Sequence, residues 1–437
     1  MEENLFGHTY SSTVILLLIK LVLDAAVSLR GSERVLTIVN DVINNPLDRI
    51  PSWLSVRSWL LRIGHYKLMR NKQHATDWCW ITDHTIQLDK TKCLLILGVR
   101  LSELPPKGEH LRYCDLEPID LVPVERSTGK VVWQQLEQAA LKTGIPRVIV
   151  SDYGSDLKLG IEKFCNEHTH CHSIYDIKHK TACLLKKEME QDELWLDFRK
   201  QAAQTKNNLQ QTVLSHLKAP NQRSKSRYMN MEILLKWGID TLEVIKDESQ
   251  FTEAEEEKLV KLAFLNDHPE KLEEWNELLQ VTKLAEQSVR KEGITLVGHQ
   301  VLEEKFQTDL PKLNYHKSIV MKGALIDFVK AQGAVCQKEE RLLGSSEIIE
   351  SVFGKQKYLE RDYKKEGFTS LILSIGALVG ETTTDTVTKA LTSTPVKAVT
   401  EWCQDKLGET VQSKKIQAYS DTRKGTKMGS VLVCENC

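Results

Sequence analysis

Acidic side chains in three separate segments are the strongest candidates for chemistry. Asp152 follows the apolar run VIVS and precedes Tyr-Gly-Ser, so it is predicted to lie at the carboxyl end of a buried strand. Open α/β sheets bind their ligands at such strand ends. A single carboxylate can contribute to a metal site there, but it needs partners from other segments.

Two further segments supply such partners. Asp83 lies in WCWITDHTI, which is predicted to be a strand that ends at or near this aspartate. Glu350 lies in GSSEIIESVFGKQK, a predicted helix capped by Ser345 or Ser346. Glu347 lies on nearly the same face of that helix and is the alternative to Glu350. Strand, strand and helix would each contribute one carboxylate.

Clustered carboxylates on rigid elements favour hard divalent ions, because Mg²⁺ and Mn²⁺ prefer oxygen ligands. Two such ions, roughly 4 Å apart, activate the attacking oxygen and stabilise the leaving oxygen of an in-line phosphoryl displacement. The residue types therefore predict a site for two Mg²⁺ or Mn²⁺ ions on Asp83, Asp152 and Glu350.

The first 75 residues are predicted to be helical, with a basic third helix. Helices are expected over residues 11–30, ended by Gly31, over residues 32–43, and from about residue 51. Three short helices whose last is basic on its outer face are typical of a helix-turn-helix DNA reader. The alternative is a helical cap or dimerisation arm with solvated charges. The candidate DNA contacts are Arg57, Arg62, Lys67 and Arg70.

The next segment changes to strand patterns. Strands are predicted up to Asp83 and over residues 93–101 and 119–124, followed by a helix over 131–143 and the strand before Asp152. Three strands, a helix and a fourth strand, with an aspartate on the first and another after the fourth, form the order of the ribonuclease H-like fold. The expected fold class is therefore an α/β ribonuclease H-like core.

The middle of the chain is predicted to be an all-helical insertion, because residues 191–340 show only helical periodicity and are too long for a loop. The predicted domains are a helical DNA-binding domain at 1–75, the first part of the core at 76–190, this insertion at 191–340, and at 341–437 the completion of the core with a helical tail.

Composition limits the classes of function. The formal net charge is −1, so no overall basic excess indicates nucleic acid, and the ten scattered cysteines are expected to be reduced thiols in a cytoplasmic protein. The apolar run at 14–27 contains Lys20 and Asp24 and is short for a bilayer, so no membrane association is expected. Phosphate-cradling and dinucleotide-binding glycine motifs are absent, which argues against ATP and nicotinamide cofactors.

Taken in order, ITDHTI, VIVSDYGSDL and SSEIIESVFGKQK resemble the DDE transposases, recombinases built on the ribonuclease H-like fold. The resemblance covers roughly residues 76 to 365. Asp176 and His179 in SIYDIKHK form the Asp-x-x-His pattern that follows the second aspartate in transposases of the hAT and Mutator type. A long helical insertion after the second aspartate also fits that branch.

The resemblance implies a reaction in two halves. Metal-activated water cleaves a phosphodiester at the transposon end, and the freed 3′-hydroxyl then attacks target DNA. Lys357 lies seven residues after Glu350, a spacing seen on the catalytic helix of several bacterial transposase families, and would contact a backbone phosphate. Asp176 and His179 would organise the site or a flipped base, and the alternative for His179 is a satisfied helix histidine. The tyrosine and arginine that precede the glutamate in one of those families are absent.

The implied partners are double-stranded DNA, as transposon ends and target, and a second copy of the chain, since synapsis of two ends needs at least a dimer. The implied source is a bacterial or archaeal insertion sequence, with a nucleoid-associated protein.

A basic loop supplies further candidate DNA contacts, and three tryptophans of the insertion are candidates for base stacking, although core positions are the more common role. These residues are Arg223, Lys225 and Arg227, and Trp195, Trp237 and Trp275.

Two other functions remain open from the sequence. One is a standalone metal-dependent nuclease on the same fold, and the other is a non-catalytic DNA-binding or repressor descendant of a transposase. Strand-transfer activity on paired ends would separate a transposase from the nuclease. The presence of all three carboxylates argues against the repressor.

Overall fold

The chain forms two compact units. The computed structural model describes residues 7–45, 47–88, 91–222, 228, 231–246, 251–252, 255, 259–361, 368–408 and 419–420. Unit 1 is drawn from residues 1–105, 111–173 and 346–437, and unit 2 from residues 106–110 and 174–345. The predicted basic loop with Arg223, Lys225 and Arg227 lies outside the described residues.

A mixed five-stranded sheet is the centre of unit 1, and the division between the units falls within its last strand. The order is β3-β2-β1-β4-β5; β1 pairs antiparallel with β2, β2 antiparallel with β3, and β1 parallel with β4. This arrangement is compatible with the expected ribonuclease H-like core. The strands are β1 (Trp78–Leu88), β2 (Thr91–Arg100), β3 (Glu117–Val124), β4 (Val148–Ser151) and β5 (His172–Tyr175).

Two helices cover one face of this sheet, namely α4 (Gly129–Thr143) and α5 (Ser155–Glu167). Thr128 caps α4 by accepting the Val131 N–H, and α4 ends where Gly144 adopts a φ of 81°. The core beneath these helices is apolar because strand side chains alternate between faces, which directs every second one toward them. Its members include Trp78, Trp80, Ile149, Leu136 and Phe164.

Three helices precede the sheet, with bounds that differ from the prediction. They are α1 (Ser12–Leu23), α2 (Leu29–Val42) and α3 (Trp53–Met69). The first helix ends at Leu23 rather than at Arg30. Ser28 caps α2 by accepting the Gly31 N–H at 3.0 Å, so Gly31 lies in the first turn of α2. The third helix begins as predicted, with Ser52 as its cap.

Residues 1–75, predicted to form a separate domain, lie in unit 1 together with the sheet. Within unit 1, α3 packs against β3 and against two short C-terminal helices, α13 (Ser374–Leu378) and α14 (Thr384–Ser393). Gly64 makes this contact possible, since a Cβ there would overlap the carbonyl group of Leu373. Gly376 is crowded by the Gly64 backbone in the same way. Only glycines allow two helix backbones to approach this closely, so α3 is an element of the core.

In its described residues, unit 2 is helical apart from Ile174 and Tyr175 of β5 and one isolated bridge between Ile294 and Leu342. It begins at residue 174 rather than 191, because its first helix packs against its longest one, and it ends at residue 345 rather than 340. Its helices are α6 (Ile177–Glu190), α7 (Glu193–Leu209), α8 (Met231–Ile245), α9 (Pro269–Glu292), α10 (Gly298–Asp309) and α11 (His316–Gly333).

The chain returns to unit 1 through α12 (Glu347–Leu359), the helix predicted from GSSEIIESVFGKQK, and then α13, α14 and α15 (Val396–Leu407). The apolar run in α1 buries Ile15, Leu18, Ile19 and Val22 inside unit 1. In the described part of the chain, no helix combines the length and the apolar character that a membrane crossing would require.

Candidate active site

The register of β1 and β4 places Asp83 and Asp152 at neighbouring positions of unit 1. Thr82 pairs with Ser151 in these parallel strands, so each aspartate is the next residue along its own chain. Adjacent strands lie about 4.8 Å apart. Because the preceding Trp80 and Ile149 point into the core beneath α4 and α5, strand alternation carried to the aspartates directs both toward the opposite face.

The position of Asp83 within its strand differs from the prediction. β1 does not end there but continues to Leu88, since it keeps pairing with β2 after β4 has ended at Ser151. Asp83 therefore lies opposite Leu95 of β2, on a backbone that is fixed on that side by the antiparallel ladder. Asp152, in contrast, is the first residue of the turn that follows β4, as predicted.

Local backbone contacts hold both carboxylates. The Asp83 Oδ1 accepts the His84 N–H at 2.6 Å, and the Asp152 Oδ1 accepts the Gly154 N–H at 2.9 Å. Tyr153, which lies between Asp152 and Gly154, has a φ of 55°. This left-handed conformation costs a non-glycine residue about 1 kcal/mol. Its hydroxyl accepts a hydrogen bond from Ser173 at 2.8 Å, which anchors the strained turn to β5.

The third predicted carboxylate belongs to α12, which packs against β1 in unit 1. Glu347 and Glu350 lie in its first turn and are half-buried, while Ile349 and Val352 form part of its buried face. Lys357 is exposed near the other end of the helix. The structure therefore assigns both glutamates to the unit that carries the two aspartates.

The predicted metal ligands Asp83, Asp152 and Glu350 do not form a preformed group of ligands. Among the described residues, no group of three or more His, Cys, Asp or Glu side chains is arranged to hold a metal ion. The donor chemistry of Asp83 and Asp152 fits a hard divalent ion. The structure supports this pair by register, and the contribution of Glu350 or Glu347 stays a prediction.

A second polar cluster, which sequence reasoning missed, lies on the α4/α5 side of β1. Lys92 donates to Asp156 at 2.8 Å, and the His84 Nε2 lies 3.2 Å from the Ser127 Oγ. Burial lowers the pKa of His84 to about 4, although the carboxylates of Asp156 and Asp152 oppose this shift. Burial acts to raise the pKa of Asp156, but hydrogen bonds from Lys92 and Ser127 lower it to about 2. His84 is therefore neutral and Asp156 ionised at pH 7.

The sequence contained a signal for this cluster. His84 follows Asp83 directly, and a strand turns successive side chains to opposite faces, so a polar residue there had to meet the helices that cover the other face. The charged residue that His84 meets there is Asp156, in the first turn of α5.

The prediction that Arg62 and Lys67 face outward from α3 is wrong. Both are buried, and their hydrogen-bond donors are used within unit 1. The Arg62 guanidinium donates to the carbonyls of Leu391 and Thr394. The Lys67 ammonium donates to the carbonyls of Val379 and Gly380, each at 2.9 Å, and to the Thr382 hydroxyl. Burial lowers the pKa of Lys67 to about 7.

The other two basic residues of this segment also have protein partners. Arg70 donates from its Nε to Glu117 at 3.1 Å and forms an ion pair with the same carboxylate, and Arg57 donates to Ser370. Glu117 also pairs with Lys72. Glu117, a carboxylate of β3, therefore provides the counter-charge for Arg70 and Lys72. DNA contact by Arg57 and Arg70 stays a prediction.

Asp176 and His179 are joined by a helix cap in unit 2. Asp176 is buried at the N-cap of α6, and its Oδ1 accepts the backbone N–H of His179 at 2.9 Å. An aspartate that accepts the backbone N–H of the residue three positions later is the usual N-cap arrangement. The Asp-x-x-His spacing is therefore accounted for, at the level of the His179 backbone, by the start of a helix.

Two of the candidate base-stacking tryptophans are core residues. Trp195 and Trp275 are completely buried in unit 2 and pack edge to face, with ring centroids 5.0 Å apart. The Trp275 indole lies 3.3 Å from Asp192. Trp237 is half-buried and donates to the Leu217 carbonyl at 3.0 Å. The core interpretation is thus confirmed for Trp195 and Trp275.

Comparison with known proteins assigns no family. No family model matches the chain, and no curated protein matches it. Among solved structures, it is similar to the Drosophila P element transposase strand transfer complex, with a TM-score of 0.43 and 12% sequence identity. The similarity covers 88% of this chain and 93% of that one. At this TM-score and identity the similarity does not establish membership of a family.

Proposed function

We propose that this protein is a DDE-type DNA transposase that cleaves phosphodiesters at transposon ends and joins the freed 3′-hydroxyl to target DNA. The observation that carries the proposal is the pairing of Thr82 with Ser151, which places Asp83 on β1 beside Asp152, the first residue after the parallel strand β4. Metal-assisted phosphoryl transfer requires carboxylates on rigid elements in this kind of arrangement.

In this proposal Asp83 and Asp152 would hold Mg²⁺ or Mn²⁺, and Glu350, or alternatively Glu347, would complete the ligand set from α12. The bound ion would supply an activated water and stabilise the leaving oxygen. The N–H groups of His84 and Gly154 orient the aspartates. Lys357 is proposed to contact a backbone phosphate.

The proposed partners follow from the same reaction. Transposon ends and target DNA are the substrates, and pairing of two ends calls for at least a dimer. The proposed DNA contacts are Arg57, Arg70, Arg223, Lys225 and Arg227, whereas Arg62 and Lys67 are withdrawn because they are buried. Asp176 and His179 are proposed as supporting residues, and an insertion-sequence origin in a prokaryotic host is part of the proposal.

The test is incubation of the protein with Mg²⁺ or Mn²⁺ and labelled duplexes that carry the sequences flanking its own gene. We expect nicks at fixed positions and joined products, both lost in Asp152→Asn with the thermal midpoint retained. Asp120→Asn is the matched control, because this carboxylate lies on β3, two strands from β1 in the same sheet, and pairs with Lys142 of α4. Equal cleavage by wild type and Asp152→Asn would exclude the proposed site.

The same assay separates the third carboxylates. Loss of cleavage in Glu350→Gln with retention in Glu347→Gln would assign the ligand to Glu350, and the reverse result would assign it to Glu347. Retention in both variants and in the double variant would exclude α12 from the chemistry.

A second candidate function is a non-catalytic DNA-binding descendant of a transposase. It is favoured by the lack of any three grouped ligand side chains among the described residues. Sequence-specific binding of the flanking duplexes, with no nick under any metal condition, would support it. Cleavage without joining would instead indicate a nuclease.

A further inference from the structure

Two cysteines of unit 1 lie in direct contact at the junction between α5 and β5. The Cys165 Sγ, in the last turn of α5, is 3.8 Å from the Cys171 Sγ, immediately before β5. Both are free thiols. A disulfide brings the two sulfur atoms to about 2.05 Å, so side-chain rotation need only supply the remaining short approach.

The backbone already holds these two residues in place. The His168 N–H donates to the Phe164 carbonyl at 3.0 Å, and the Cys171 N–H donates to the His168 carbonyl at 2.8 Å. These bonds fold residues 165–171 into a tight turn whose ends meet. Because the turn is formed in the reduced protein, closing it with a covalent bond requires little additional ordering.

The two thiols have different environments. Cys165 is half-buried and packs at the margin of the core beneath α4 and α5, whereas Cys171 is 2% exposed within it. The hydrogen bond with Cys171 lowers the pKa of Cys165, and the same pairing together with burial raises the pKa of Cys171. A thiolate is the reactive form, so Cys165 is the member of the pair that solvent-borne reagents meet first.

The neighbouring histidine does not turn this pair into a metal centre. The His168 Nε2 lies 2.8 Å from the Glu137 carboxylate, and its ring packs on Phe164 with centroids 4.5 Å apart. The described residues contain no group of three ligand side chains at this turn or elsewhere. The geometry is that of a dithiol.

We propose that Cys165 and Cys171 form a reversible, peroxide-responsive disulfide. The Cys165 thiolate attacks one oxygen of hydrogen peroxide, and with one proton gives a sulfenic acid and water. The Cys171 sulfur then attacks the Cys165 Sγ, and its thiol proton leaves with the displaced hydroxide as a second water. Two thiols and one peroxide give one disulfide and two waters, with two electrons passing to the peroxide.

The disulfide fastens the C-terminal end of α5 to the start of β5. The Asp152 turn leads into α5, and Ser173 of β5 holds the Tyr153 hydroxyl, so both ends of the new bond lie on segments that adjoin that turn. The proposal does not depend on any activity of the protein, since the modification is read chemically.

The test treats the full-length protein with hydrogen peroxide, blocks remaining thiols with N-ethylmaleimide and maps tryptic peptides by mass. Residues 164–178 form one tryptic peptide that contains both cysteines and no other. We expect this peptide unalkylated and lighter by two hydrogens than its dithiol form, with recovery of two alkylation sites after dithiothreitol. Alkylation of both sites after peroxide, or oxidation of Cys165 to a sulfinic acid with Cys171 unmodified, would overturn the proposal.

Variants assign the two roles. In Cys171→Ser the sulfenic acid of Cys165 has no resolving thiol, so we expect it to be trapped by dimedone, whereas Cys165→Ser should leave Cys171 unreacted. Cys79→Ser is the matched control, because Cys79 is another buried thiol of the same sheet, on β1, and its removal should leave the disulfide yield unchanged. Loss of the disulfide in Cys79→Ser, with its formation retained in Cys171→Ser, would overturn the pairing.

Discussion

Unit 1 contains two charged sets that behave in opposite ways. One is the acidic pair of Asp83 on β1 and Asp152 after β4, and the other is the basic side chains of α3. Lys67 and Arg62 turn into the protein and donate to backbone carbonyls. Asp83 and Asp152 lie at neighbouring positions beside the end of β4, where their carboxylates accept the backbone N–H groups of His84 and Gly154. The difference teaches that a charged row in a sequence does not reveal whether its partner is nucleic acid or the protein's own backbone.

The largest effect should come from breaking the packing that buries α3. Gly64→Ala inserts a methyl group into the Leu373 carbonyl, so we expect the free energy of unfolding to fall by about 4 kcal/mol or more in chemical denaturation. Gly354→Ala on α12 is the control, since a Cβ there has no neighbour within 4 Å. That change should stabilise the helix by about 1 kcal/mol. Equal stabilities of the two variants would show that α3 is not packed as described.

Lys67→Met tests the inward role of the basic set. It leaves a buried carbonyl, a half-buried carbonyl and a hydroxyl without their donor, and we expect a loss of about 3 kcal/mol in the free energy of unfolding. DNA affinity of the folded fraction should be unchanged. Lys397→Met, at an exposed position on α15, should leave stability unchanged. A variant that folds normally but loses DNA binding would restore Lys67 to the DNA-contacting set.

Asp83→Asn tests the other side of the comparison. If the proposed function holds, cleavage should fall by about 100-fold or more, equivalent to about 2.7 kcal/mol of activation free energy. The thermal midpoint should stay close to that of the wild type, since the amide oxygen can still accept the His84 N–H. A stability loss with normal cleavage per folded molecule would make Asp83 a structural residue like Lys67.

The smallest effect should be a pH dependence that originates beside the aspartates. Because burial lowers the pKa of His84 from 6.5 to about 4, the unfolded chain binds a proton in this interval that the folded protein does not. The stability from this residue is complete above pH 6.5 and falls as the pH is lowered, with a loss of about 2 kcal/mol at pH 5. Urea denaturation at several pH values in EDTA should show this slope in the wild type and not in His84→Gln. Parallel curves would contradict the low pKa.

The strand pattern of unit 1 was readable from the sequence because its strands are apolar runs closed by turn residues, as in VIVSDYG. The starts of α12, after Ser346, and of α3, after Ser52, were readable for similar local reasons. The destination of Lys67 was not, since it depends on Val379 and Gly380, more than 300 residues away along the chain. Asp83 could be placed in a strand but not in register, because register depends on β4.

The Thr82–Ser151 pairing has a consequence for how the protein must be built. All four residues of β4 are buried, so an alternation of polar and apolar residues does not fix the register of this strand against its neighbours. Its alignment rests instead on the segments around it: the Arg147 N–H bonds the Trp78 carbonyl, and the Ala75 N–H bonds the Thr143 carbonyl. A slip by a single residue would carry Asp152 to the wrong side of the sheet while leaving every strand intact. The geometry of the acidic pair therefore depends on a few main-chain bonds at the far end of these strands.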